Sequence, residues 1–144
     1  MPDPLPIKHL HHIALASTRC EETAEFYREV LGFRDLRRPP FDFAGAWLYG
    51  YDMQIHLIEP RDEPHAQQPP GLGPPIDSRA HHLAFAVEDV TPVKRSLEER
   101  GIAFRETVNA GGVHQIFFRD PEGYHLEVAV YPHPSVEIVP EAGD

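Results

Sequence analysis

Two short runs of this 144-residue chain nearly repeat each other: "LHHIALAS" at residues 10–17 and "AHHLAFAV" at 80–87. Each sets a histidine pair at the head of an apolar run. Imidazole is a proton carrier near neutral pH and a common metal ligand, so repeated histidines invite a chemical reading. Side chains alternate across a strand, which sends the members of each pair to opposite faces. In the first run His11, Ile13 and Leu15 share one face, and His12, Ala14 and Ala16 the other. In the second, His81, Leu83 and Phe85 oppose His82, Ala84 and Ala86. The bulky face is expected to pack beneath a helix and the small face to leave room. His12 and His82 therefore stand on the roomy side.

Two later segments extend the pattern. "MQIHLIE" (53–59) sets Gln54, His56 and Ile58 against Met53, Ile55 and Leu57. "YHLEVAV" (124–130) sets His125, Glu127 and Ala129 against Tyr124, Leu126, Val128 and Val130. Seventy residues separate His12 from His82, and seventy-one separate His56 from Glu127. The resulting set, three imidazoles and one carboxylate, suits one divalent first-row metal ion per chain: Zn, Ni, Fe, Co or Mn. His56 reads either as a ligand or as a pocket acid or base. His125 reads as a group supporting a ligand. His11 and His81 read as covering an apolar face or touching backbone, and His9, His65, His114 and His133 as ordinary surface histidines.

The elements that must position these residues are duplicated as well. "TRCEETAEFYREVLGF" places Ala24, Phe26, Tyr27, Val30 and Leu31 at helical spacing; Thr18 with Glu21 reads as a capping box and Gly32 as the stop. "EDVTPVKRSLEERGIAF" repeats the helix, with Val90, Val93 and Leu97 as its stripe, Pro92 in its first turn and Gly101 at its end. Three strands should follow each helix: 33–38, 43–50 and 53–59, then 103–108, 113–119 and 124–130. "YGYD" and "DPEG" are the turns that join the last two strands of each set. The order strand–helix–strand–strand–strand is thus written twice.

Proline and glycine crowd residues 60–79, "PRDEPHAQQPPGLGPPIDSR". That segment reads as a surface connection, whether plain linker, lid or dimer arm. The tail 131–144 reads as loosely attached, with a short strand at "VEIV". Thirteen basic against 23 acidic residues argue against nucleic acid or an anionic membrane as partner. Cys20 is the sole cysteine, which excludes an internal disulfide and a Cys-rich metal site. With no signal-like leader and no apolar run of membrane-spanning length, a cytoplasmic protein is expected.

The runs "HHIALAS…CEETAEFYREVLGF", "GAWLYGYDMQIHLIEP", "HHLAFAVEDV" and "QIFFRDPEGYHLEV" resemble the vicinal oxygen chelate superfamily over residues 9–130. That superfamily includes glyoxalase I, methylmalonyl-CoA epimerase, extradiol dioxygenases and bleomycin-resistance proteins. The wording is nearest to glyoxalase-I-like members of unassigned substrate. The resemblance implies an α+β fold: one domain spanning 1–144, of two tandem βαβββ modules (9–59 and 80–130) curling into a half-open barrel. It carries the metal ligands onto His12, His56, His82 and Glu127, with Glu127 also the catalytic base. It further implies a small-molecule substrate and a homodimer. The implied activity is that of a metal-dependent lyase or isomerase, acting on a substrate with two adjacent oxygens. Its alternatives are an Fe(II) dioxygenase using His12, His82 and Glu127, and a drug-binding protein without catalysis. Glyoxalase I commonly carries arginine where this chain has Ala16, so a glutathione thioester is not the expected substrate.

Overall fold

The duplicated order is present in the structure, a computed structural model that describes residues 2–131 and 138–140. The first copy comprises β1 (Ile13–Ala16), α1 (Cys20–Glu29), β2 (Arg34–Asp35), β3 (Gly45–Gly50) and β4 (Met53–Ile58). The second comprises β5 (His82–Ala86), α2 (Val90–Glu99), β6 (Phe104–Val108), β7 (His114–Arg119) and β8 (His125–Ala129). Each copy forms an open four-stranded mixed sheet, in the order β1-β4-β3-β2 and β5-β8-β7-β6. The first strand pairs parallel with the last, and the other pairings are antiparallel. The fold is α+β, built from two tandem βαβββ modules.

Two compact units divide the chain. One holds residues 1–74 together with Asp120–Tyr124; the other holds 75–119 and 125–144. In the first, Ala24 and Tyr27 of α1 are fully buried, as are Leu48, Ile55 and Leu57 of the sheet. In the second, Leu97 of α2 is buried along with Ile116, Phe117, Phe118 and Leu126. Each large apolar side chain removed from water contributes on the order of 1.5–3 kcal/mol, so these stripes hold helix to sheet.

Two sequence expectations need correction. The capping box at Thr18 and Glu21 does not form. Arg19 occupies the N-cap with no side-chain cap bond, and Glu21 lies against Arg28. The acceptor comes instead from the turn after β7. Buried Glu122 places Oε1 where the Thr18 amide (2.9 Å), the Arg19 amide (3.0 Å), and the Ser17 (3.0 Å) and Thr18 (3.2 Å) hydroxyls all donate to it. With an acid already there, Thr18 serves as donor rather than cap. By contrast, α2 is capped locally, Asp89 accepting from the Thr91 amide at 2.9 Å.

The second correction concerns strand ends. The His11–His12 pair precedes β1, and β2 is a two-residue strand that stops well before Pro39 and Pro40. The connection at 60–79 runs over the surface without helix or strand. It is pinned midway, because the Gly71 amide donates to the Glu122 carbonyl at 2.8 Å. A side chain at Gly123 (φ +92°) would put its Cβ 2.0 Å from the Gly71 oxygen. The tail strand expected at 136–139 falls partly outside the described residues.

Both expected turns are present. Tyr51 and Asp52 take positive φ (53° and 60°), the twist a two-residue hairpin requires between β3 and β4. In the β7–β8 turn, Asp120 Oδ1 accepts from the Glu122 and Tyr124 amides and Oδ2 from the Tyr27 hydroxyl at 2.7 Å. Burial pushes the Asp120 carboxyl up to about 6, against the pull of these donors.

Candidate functional site

Strand register brings the four anticipated residues together as two pairs, one in each unit. In the first, β4 runs between β1 and β3, so His56 lies opposite Ala14 on one side and Trp47 on the other. Small Ala14 leaves space beside it, which the His12 ring fills from just ahead of β1. The His12 and His56 centroids are 3.9 Å apart with planes 12° from parallel. Trp47 stacks on His56 at 4.2 Å and 9°. Two rings that close and that parallel must occupy opposite faces of the imidazole. His56 is thereby the middle layer of a three-ring stack and only 5 % exposed, whereas His12 is exposed.

Burial holds the His56 pKa below the usual imidazole value, with further lowering from the neighbouring His12 and His11. A neutral ring is the form that can ligate a metal. Its Nε2 is 2.9 Å from the Gln54 side-chain oxygen, and the Nδ1 atoms of His11 and His12 are 2.9 Å apart.

In the second unit, Ala84 and Phe117 flank Glu127 in the same register, at the positions matching Ala14 and Trp47. The Glu127 carboxylate is 2 % exposed. Its Oε1 accepts from the Tyr131 hydroxyl at 2.7 Å and from the Gln115 amide, whose own oxygen accepts from Thr107 at 3.0 Å. Its Oε2 faces His82 Nε2 at 3.4 Å. His82 Nδ1 lies 2.7 Å from the Ala80 carbonyl, an acceptor only, so the neutral ring carries its proton on Nδ1. Nε2 and Oε2, both without a proton in that form, then lie 3.4 Å apart. Such an arrangement is completed by a cation, either a proton or a metal ion.

The donor set has the right chemistry for a divalent ion: imidazole nitrogens and an oriented carboxylate. Among the described residues, no three His, Cys, Asp or Glu side chains gather into a ready-made metal cage. The Trp47 stack and the Gln115–Tyr131 support of Glu127 were not anticipated. The signal for Gln115 is its place opposite Thr107 in the β6–β7 ladder. Tyr131 lies beyond the last strand, where alternation carries no information.

The remaining histidines sort plainly. His125 does not bond Glu127; its Nε2 accepts from the Asp77 amide at 3.0 Å. His114 pairs with Glu106 at 3.1 Å, His9 contacts the Leu10 carbonyl, and His65 and His81 are exposed. His133 lies outside the described residues. Cys20 is buried, its thiol pushed up by desolvation. No helix among the described residues is long and apolar enough to cross a membrane.

Known proteins share this layout. The chain is 34 % identical to Glyoxylase I 4 of Arabidopsis thaliana over 149 residues, covering 99 % of this chain and 80 % of that protein. It is 28 % identical to glutathione transferase FosA of Serratia marcescens, covering 86 % of this chain and 82 % of the relative. The solved structure of a glyoxalase family protein from Enterococcus faecalis superposes with a TM-score of 0.61 at 29 % identity, over 85 % of this chain and 97 % of that one. A family model matches residues 9–128, beginning ahead of the first histidine pair and closing just past Glu127, so that both donor pairs fall within it. The chain belongs to the Glyoxalase/Bleomycin resistance protein/Dioxygenase superfamily.

Proposed function

We propose that this protein is a metal-dependent lyase or isomerase whose small-molecule substrate carries two adjacent oxygens. His12, His56, His82 and Glu127 would hold one divalent ion per chain. The observation that carries this reading is the approach of His82 Nε2 and Glu127 Oε2 to 3.4 Å, with His82 Nδ1 against the Ala80 carbonyl. The likeness to Glyoxylase I 4 of Arabidopsis thaliana supports it. The bound ion supplies Lewis-acid polarisation of a substrate carbonyl.

The chain's own groups do the rest. Gln115 and Tyr131 fix one Glu127 oxygen and leave the other directed outward from the donors that hold it. That carboxylate takes the proton from the carbon beside the polarised carbonyl and returns it to the neighbouring carbon. His56, kept neutral by the rings that cover it, stays available as a donor atom. Ala16, in place of the arginine common in glyoxalase I, favours a substrate without glutathione.

Elemental analysis of the purified chain is the direct test. About one divalent metal per chain is expected, lost in His12→Ala and in Glu127→Ala without loss of fold. Full retention in both variants would sink the assignment. His56→Ala should weaken metal affinity by ~10–100-fold if the ring is a ligand; unchanged affinity with lower activity would make it a pocket acid or base instead. We further propose a homodimer with two equivalent sites, which sedimentation at several concentrations tests.

A further inference from the structure

Beyond the stack that ends at Trp47 lies a second pair of rings. Phe41 is 6.1 Å from Trp47 and tilted by 52° to it, and Phe43 stacks on Phe41 at 5.1 Å and 18°. Both phenylalanines sit on the β2–β3 connection and are solvent-exposed, at 45 % and 38 %. Arg38 lies against both, its Cζ 5.0 Å from the Phe41 centroid and 5.1 Å from that of Phe43. One guanidinium nitrogen, Nη2, donates to the Phe43 carbonyl at 2.8 Å. Among the described residues no carboxylate lies within ion-pair distance of Arg38, although the chain carries a net charge of −10.

The arrangement is built rather than incidental. Residue 45 has no side chain, and a Cβ there would meet the Leu57 carbonyl oxygen at 2.6 Å and Arg38 Nη2 at 2.8 Å. The guanidinium occupies that gap. It is held in place by a backbone carbonyl and two rings, with its remaining N–H groups lacking a protein acceptor among the described residues. Exposed aromatic faces bind planar apolar groups, and a fixed guanidinium fork binds a carboxylate. Side by side they select one ligand that is both.

We infer that Arg38, Phe41 and Phe43 form a subsite for a planar anion, an aromatic or conjugated carboxylate. As a statement about the substrate, this rests on the function proposed above. The substrate would then be an aryl or conjugated acid whose acidic group lies remote from its two reacting oxygens, one ring beyond Trp47 from His56. The binding itself needs no metal.

Equilibrium dialysis of the full-length protein against 2-naphthoate and neutral 2-naphthalenemethanol tests the subsite, with the protein as purified and after chelator treatment. Wild type should retain naphthoate ~10-fold or more tightly than the alcohol, on the scale of one charge-assisted hydrogen bond. Arg38→Gln should abolish that preference and Arg38→Lys restore part of it. Phe41→Ala should weaken both probes. The inference is overturned if wild type retains no naphthoate, if Arg38→Gln binds it unchanged, or if chelation removes binding, since the metal would then be the anchor. It is equally overturned if Phe41→Ala dissociates a dimer while naphthoate is not retained, because a second copy would then own the patch. Failure of the metal assignment would show in the elemental analysis and leave the dialysis result intact.

Discussion

The two modules share a strand order and register yet hold their central groups by different forces. In module one, the residue flanked by Ala14 and Trp47 is an imidazole sandwiched between rings. In module two, the residue flanked by Ala84 and Phe117 is a carboxylate fixed by hydrogen bonds from Gln115 and Tyr131. Their helices start differently too: α1 takes its acceptor from Glu122, a hundred residues along the chain, and α2 from adjacent Asp89. Backbone register, then, is set by which strands pair, and a duplicated chain copies it whole. The chemistry at each crossing depends on a few side chains that are free to diverge.

The helix starts offer the largest test of that contrast. Glu122→Ala removes the shared acceptor of two amides and two hydroxyls, the Ser17 hydroxyl among them buried, and is expected to cost about 3 kcal/mol. Asp89→Ala removes a single exposed cap bond and should cost about 1 kcal/mol. Urea denaturation measures both, and equal losses would break the comparison.

The turns differ next. Asp120 is 1 % exposed and raised from 3.8 to about 6, whereas the β3–β4 turn contains no buried acid. A carboxyl whose folded pKa is raised stabilises the fold in its protonated form. That contribution is complete below about 3.8 and lost as pH rises through about 6. The stability of wild type relative to Asp120→Asn should therefore fall by up to about 3 kcal/mol across that window. A flat difference would show the Tyr27 and amide donors fully offsetting the burial.

The smallest effect concerns the ring stack. In metal-free protein, His56 should titrate below 6.5 by NMR, and Trp47→Ala should move it back upward as water reaches the ring. Because its folded pKa is lowered, this histidine costs stability only as pH falls below about 6.5. Unchanged titration in the variant would mean that Trp47 does not insulate it.

Much of this was legible in the sequence, for a physical reason. Alternation and helical spacing are local, so both modules, both turns and the face shared by Ala84 and Ala86 could be read from residue order. The same logic matched His12 to His82 and His56 to Glu127 as equivalent positions of the two modules, through their near-equal offsets. It failed where partners are distant. Thr18 looked like a cap because nothing local announces Glu122, and His56 looked like an open-face residue because its cover comes from two other segments. Tyr131 lay outside every periodic element.

The contact of Gly71 with Gly123 has a consequence for the long connection. Loop-closure entropy depends on the number of unconstrained residues between fixed points, and it grows slowly, by about 0.6 kcal/mol per doubling. Pinning Gly71 to the Glu122 carbonyl turns one twenty-residue excursion into two shorter ones. Insertions within 61–69 should therefore be absorbed at little cost, whereas the second excursion is held again at Asp77, whose amide donates to His125. At Gly123 even a methyl group has nowhere to go, because its Cβ would run into the Gly71 backbone, so that crossing marks where this loop cannot vary.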